Sequence, residues 1–179
     1  MGDNMTVQAL RRRQPEVLGD LLAMFGRELH GVAYLITRDR ADAEDIVVET
    51  LLTAYEKAGS IRDERALRAW LIRVATNQAL QLRRGKGRIV RLHVVPDAPG
   101  PGDLGKRSSD RVTLLRGLEA LPPRTRAAVV LRYYADLSVE EVATTLGRSP
   151  NTVKTQLREA LVALRASVID TSIMEDRHA

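Results

Sequence analysis

The 179-residue chain has 44% hydrophobic residues, only 3% aromatics and no cysteine. That composition excludes a disulfide framework and a thiolate metal site and suits a reducing, cytoplasmic setting. The net charge of +5 is spread thinly: residues 1–84 carry 13 basic and 12 acidic groups, and residues 111–179 carry 10 and 8. Any affinity for nucleic acid must therefore come from local faces.

Arg supplies 24 of the 28 basic residues, which suits forked contacts to phosphate and guanine but fits more simply a genome rich in G and C. Met1 to Arg13 lacks the apolar segment of a signal peptide. No window approaches the roughly 18 uninterrupted apolar residues of a membrane span, so no membrane insertion is expected. With cores of Leu, Val, Ile and Ala, the expected fold class is all-α: two small helical domains joined by a flexible linker.

The first domain is expected over residues 16–84. Leu29, Val32, Ala33 and Ile36 recur at helical spacing. Asp39 follows as an N-cap, and Asp42, Glu44 and Asp45 suit the positive end of the next helix. That helix is predicted to bury Val47, Leu51, Ala54 and Ala58 and to stop at Gly59 and Ser60. A third helix is predicted from about Glu64 to Arg84. Its expected inward stripe is Leu67, Leu71, Val74, Gln78 and Leu82, and Arg73, Asn77, Gln81 and Arg84 form a separate hydrogen-bonding stripe.

Residues 85–110 read as the linker. Gly85, Gly87, Pro96, Pro99, Gly100, Pro101, Gly102 and Gly105 are too dense to propagate a helix. Ile89 to Val95 could form a short strand, although no partner strand is evident. Gly100 to Lys106 imitates a phosphate-binding loop, but Arg107 stands where Ser or Thr should meet magnesium.

The second domain is expected over 111–166, with a polar tail at 167–179. Leu114, Leu115, Leu118 and Leu121 open it, and Pro122-Pro123 breaks the pattern. A helix from about Arg124 carries Ala128, Val129, Leu131 and Arg132. Ser138 and Glu141 then make a capping box. Gly147 ends that helix, Ser149 caps the next, and Pro150 sits at its first position. The last helix should bury Val153, Leu157, Leu161 and Leu164.

Two helices on so tight a turn make a helix-turn-helix, whose second helix enters the DNA major groove. Asn151, Thr152, Lys154, Thr155 and Arg158 occupy its exposed tip and supply amide, hydroxyl, ammonium and guanidinium groups.

The order of motifs goes further. Asp42-Ala-Glu-Asp45-Ile-Val-Val-Glu49-Thr50 and Ala69-Trp70-Leu71-Ile-Arg73-Val-Ala75-Thr-Asn77 resemble region 2 of the extracytoplasmic-function sigma factors. Leu121-Pro-Pro-Arg124, Leu131-Arg-Tyr-Tyr134 and Thr152-Val-Lys-Thr155 resemble region 4 of that family. The resemblance spans nearly the whole chain, with a short linker in place of region 3.

It implies a non-catalytic specificity subunit that brings core RNA polymerase to promoter DNA. By position, Asp45, Glu49 and Thr50 would grip the polymerase clamp coiled coil, with the flap as a further polymerase contact. Ser60 and Arg62 would belong to a loop capturing a −10 base, and Arg73, Asn77 and Gln81 to the helix behind it. Asn151, Thr152, Lys154, Thr155 and Arg158 would read the −35 element. An anti-sigma partner is a family expectation.

Val48, Gln156 and Glu159 depart from the family pattern, where Gln, Arg and a basic residue are usual. No cofactor is implied, and His30, His93 and His178 lack metal-ligand spacing. No nucleophile is paired with a base, so no catalytic site is expected. The competing readings are a dimeric helix-turn-helix regulator acting without polymerase, and a polymerase-binding adaptor that has lost promoter function. Trp70 is expected in the core or between the domains.

Overall fold

The computed structural model describes residues 5–86 and 106–176, and every described element is helical. In chain order these are α1 (Met5–Arg11), α2 (Val17–Thr37), α3 (Arg40–Glu56), a 3-10 turn (Ala58–Ser60) and α4 (Glu64–Lys86). After the undescribed stretch come α5 (Lys106–Ala120), α6 (Pro123–Val129), a π-helical turn (Val130–Tyr134), α7 (Val139–Leu146) and α8 (Pro150–Asp176). The possible strand Ile89 to Val95 and the loop from Gly100 to Gly105 lie outside the described residues.

Helices α2, α3 and α4 pack mutually into one bundle. Leu29, Val32, Ala33 and Ile36 are buried on α2, and Val47, Leu51 and Ala54 on α3, as their spacing predicts. Asp39 caps α3 by accepting the Asp42 N–H at 3.0 Å. The cap satisfies an amide that has no partner within the helix.

Helix α1 lies ahead of the expected domain start at residue 16. Its Val7 and Leu10 are buried. The Val7 N–H donates to Glu64 Oε2 at 2.9 Å, and Arg11 Nη2 donates to the Ile61 carbonyl at 2.8 Å. One short helix thus braces the turn that leads into α4.

The expected inward stripe of α4 is corrected. Leu67 and Leu71 are buried, but Val74 and Gln78 are only partly covered and Leu82 is exposed. Ile72, Ala75, Thr76, Ala79 and Leu80 are buried instead. The reason is tertiary: α4 is covered on one side by α2 and α3 and on another by α6 and α7. A helix packed from two directions buries an arc wider than the single stripe that a lone bundle contact would require.

In the second half, α5, α6 and α7 all pack against α8. Leu118 and Leu121 are buried, whereas Leu114 is exposed and Thr113 takes its place in the core. The ends of the expected linker are helical, since α4 runs through Lys86 and α5 begins at Lys106. The expected polar tail likewise belongs to α8 as far as Asp176. The two halves are not separate in space: α2 and α4 touch α6, α2 also touches the π turn, and α4 also touches α7.

Candidate polymerase and promoter interfaces

The helix-turn-helix is built by its caps. Ser138 Oγ accepts the Glu141 N–H at 3.2 Å, and Glu141 Oε2 accepts the Ser138 N–H at 2.8 Å. These bonds hold the Glu141 carboxyl below the usual carboxylate range, the backbone bond contributing most. Gly147 ends α7 at φ 61, a left-handed conformation that other residues adopt with strain. Ser149 Oγ then accepts the Thr152 N–H at 3.1 Å and starts α8.

Val153, Leu157 and Leu164 are buried and Leu161 is partly so. Asn151, Thr152, Lys154, Thr155 and Arg158 all point to solvent. Glu159 is exposed beside them, and Gln156 is partly buried. The tip therefore offers five polar or cationic side chains on a face left exposed among the described residues.

A second polar face lies on α4. Arg73, Asn77, Gln81 and Arg84 are exposed along one side, as their spacing predicts. Ser60 and Arg62 are exposed on the turn before the helix. Arg11 Nη2 also reaches the Arg62 carbonyl, at 3.2 Å, so α1 helps to position this turn.

Ser60, Arg62, Trp70 and Arg73 line a cleft of about 420 Å3. Leu137, Glu140, Glu141 and Thr144, from the second half, also line it. Trp70 is 8% exposed there, within the apolar core at the edge of the cleft, where a core or interdomain role was expected.

On α3, Asp45 and Glu49 are exposed, with Val48 at 58% and Leu52 at 48% beside them. Thr50, grouped with these residues in the sequence reading, sits differently from them. Thr50 is fully buried, and its hydroxyl bonds to Gln78 Oε1 at 3.0 Å. That bond ties α3 to α4.

Three contacts between the halves had no counterpart in the sequence reading. Arg126, 2% exposed, donates from Nη1 to the Ile36 carbonyl at 3.0 Å. Its Nη2 donates to the carbonyls of Glu119 at 2.7 Å and Leu121 at 3.2 Å. Burial, then the nearby Arg83 charge, lower its pKa to about 10, Glu119 opposing and Arg38 adding. Arg126 therefore stays charged at neutral pH.

Arg68 pairs with Glu28 on α2 and also donates to the Ala135 carbonyl at 2.7 Å. Finally, Tyr134 rests on Gly31 so closely that a Cβ there would overlap its Oη and Cζ and stand 2.8 Å from Cε1. The available signal was Gly31 itself, an isolated glycine inside a helical pattern, which often marks close packing.

The fold and these faces define a two-domain, helix-turn-helix protein of the transcription-factor class. The sigma-70 region 2 family model matches residues 21–89, and the sigma-70 region 4 model matches residues 111–164. The chain belongs to the sigma-70 family of RNA polymerase sigma factors, in its extracytoplasmic-function group.

It is 35% identical to the RNA polymerase sigma-E factor of Streptomyces coelicolor over 132 residues, 73% of this chain and 74% of that protein. It is 33% identical to the ECF RNA polymerase sigma factor SigL of Mycobacterium tuberculosis over 151 residues, 79% and 82% of the two chains. Among solved structures, the fold matches RpoE from Bartonella quintana, crystallised with the anti-sigma factor NepR. The TM-score is 0.71 at 24% identity, covering 86% of this chain and 97% of that one.

Proposed function

We propose that this chain acts as a non-catalytic promoter-specificity subunit within RNA polymerase holoenzyme. One observation carries the reading: a single chain presents two separate polar faces, the α4 row and the α8 tip, beside an exposed acidic and apolar face on α3.

In this reading Asp45 and Glu49 meet the polymerase clamp, with Val48 and Leu52 adding apolar area. Thr50 supports that face from beneath. Ser60, Arg62, Arg73, Asn77 and Gln81 engage the −10 element. Removing a base from its stack costs a few kcal/mol, so a pocket that favours one base both melts and reads the DNA. Asn151, Thr152, Lys154, Thr155 and Arg158 read the −35 element in the major groove. The tether between the halves makes the second DNA contact intramolecular. An anti-sigma partner that clamps both halves together would block both surfaces. The setting is the cytoplasm.

The test is to mix the purified chain with sigma-free bacterial core polymerase, measure co-elution, and run off transcripts from promoter fragments of its own genome. Co-elution with promoter-dependent transcripts is expected. Co-elution without transcripts from a fragment known to hold its promoter would favour an adaptor. Tight binding to a palindromic duplex without co-elution would overturn the reading in favour of a stand-alone regulator.

A further inference from the structure

The exposed tip of α8 is not uniform around the helix axis. Val153, Leu157, Ala160 and Leu164 are buried and form one line. At about 3.6 residues per turn, Thr155 stands nearly opposite that line. Lys154 and Arg158 fall to one side of Thr155, and Thr152 and Glu159 fall to the other. The outer face therefore has a cationic flank and an acceptor flank, both exposed.

The two members of the acceptor flank differ. The Thr152 hydroxyl is engaged with Ser149 Oγ at 2.8 Å, in the cap that starts the helix. Glu159 lies one turn beyond Thr155, is exposed, and makes no hydrogen bond or ion pair among the described residues. Arg158 is its neighbour in sequence, but adjacent residues of a helix do not face each other. A rise of about 1.5 Å per residue places Asn151 and Glu159 about 12 Å apart along the axis, comparable to the roughly 12 Å width of the major groove. Glu159 is therefore within the stretch of α8 that a groove can take in.

A carboxylate on such a face is repelled by phosphates and, being an acceptor only, is matched only by a donor. In the major groove the donors are the amino groups of cytosine and adenine. Adenine sets its N7 acceptor beside the amino group, and N7 opposes a carboxylate. Guanine and thymine present acceptors alone. Cytosine presents its N4 amino group with no acceptor on the same base.

We propose that Glu159 is a specificity-determining residue of the α8 tip, accepting a hydrogen bond from the N4 amino group of a cytosine in the upstream promoter element. Lys154 and Arg158, on the opposite flank, meet phosphate or guanine, so the tip reads its site with a fixed polarity. This inference rests on the reading of α8 as the −35 helix, and the test separates the two.

Holoenzyme is assembled from bacterial core polymerase and the full chain. Bound duplexes are then selected from a library built on a promoter of its own genome and randomised in the upstream element. The parent is compared with Glu159→Ala, Glu159→Gln and Glu159→Arg. The side chain is exposed and unbonded, and Ala, Gln and Arg are good helix formers, so thermal melts should coincide.

In the parent, one upstream position should favour cytosine by about tenfold, within the range of a single direct base contact. Glu159→Ala should erase the preference at that position alone. Glu159→Gln should move it to adenine and Glu159→Arg to guanine, following the pairing chemistry of the amide and the guanidinium. Upstream preferences in the parent that include no cytosine would overturn the proposal, as would a cytosine preference that survives Glu159→Ala. Tighter binding of Glu159→Ala to every sequence, with all preferences intact, would overturn it too, since the carboxylate would then face a phosphate. A parent with no preference at any upstream position would instead count against the −35 reading of α8 as a whole.

Discussion

The α8 tip and the α4 row carry similar chemistry, namely amides, a hydroxyl or two and cationic side chains on one exposed helix face. Their settings differ. The tip of α8 is packed from behind by α5, α6 and α7 and leaves its outer face clear. The α4 row shares its helix with the joint between the two halves, and the turn beside it faces acidic residues of α7. A DNA face is thus a property of what surrounds a helix as well as of its residues. One face is presented by its own domain alone, and the other lies beside the joint with the partner domain.

The largest expected effect comes from removing the side chain that ties both halves together. Arg126→Ala would leave the carbonyls of Ile36, Glu119 and Leu121 without this donor. Unfolding stability should fall by about 3 kcal/mol, the scale of losing charge-assisted hydrogen bonds in a buried site. A urea melt reads it, and a change no greater than that of a surface substitution would show that the joint contributes little.

Next comes the open face. Arg158→Ala should weaken recognition of the promoter's upstream element by about 1–3 kcal/mol while leaving core-polymerase binding intact. Gel-shift titration of the holoenzyme on matched and scrambled upstream elements distinguishes a base contact from a phosphate contact, which would weaken both equally.

A smaller effect separates the buried from the exposed side of α3. Thr50→Val removes the bond to Gln78 and should lower thermal stability by about 1 kcal/mol. Polymerase affinity should hold. Glu49→Lys, on the exposed side, should weaken co-elution with core polymerase at unchanged melting temperature. Were Thr50→Val to abolish polymerase binding in a stably folded chain, the division of α3 into a supporting and a contacting side would fail.

The smallest effect is the acid response of the α7 cap. The folded state depresses the Glu141 carboxyl, mainly through the Ser138 N–H and then its hydroxyl. A depressed carboxyl stabilises fully above its unfolded value of about 4.3, and that stability is lost as pH falls through the folded value. Glu141→Gln should flatten this part of the acid limb in a pH series of thermal melts. A limb identical to that of the parent would show the cap to be electrostatically neutral.

Much of the local structure was legible in the residues. Asp39, Ser138, Gly147, Ser149 and Pro150 act within a few positions of themselves, because a cap or a left-handed turn depends on neighbouring dihedrals. The polar rows on α4 and α8 were legible for a related reason: helical periodicity alone decides which side chains share a face. Family resemblance then supplied the roles proposed for those faces.

Other features were closed to that reasoning. Helix α1 is only seven residues long, below the length at which a periodic pattern stands out. Leu82 and Leu114 are apolar yet exposed, and Thr50 is polar yet buried, because each was placed by packing between helices rather than by its own hydrophobicity.

By itself, then, the sequence determined the helices, their caps, the helix-turn-helix and the family, since these follow from spacing along one chain. Only the tertiary structure decided that Thr50 is buried against α4, that α4 is covered from two directions, and that Tyr134 and Arg126 contact the other half. The Arg126–Ile36 and Tyr134–Gly31 contacts span 90 and 103 residues, and no local rule reaches across such separations. Their existence depends on where two domains come to rest, which is an outcome of the whole packing energy.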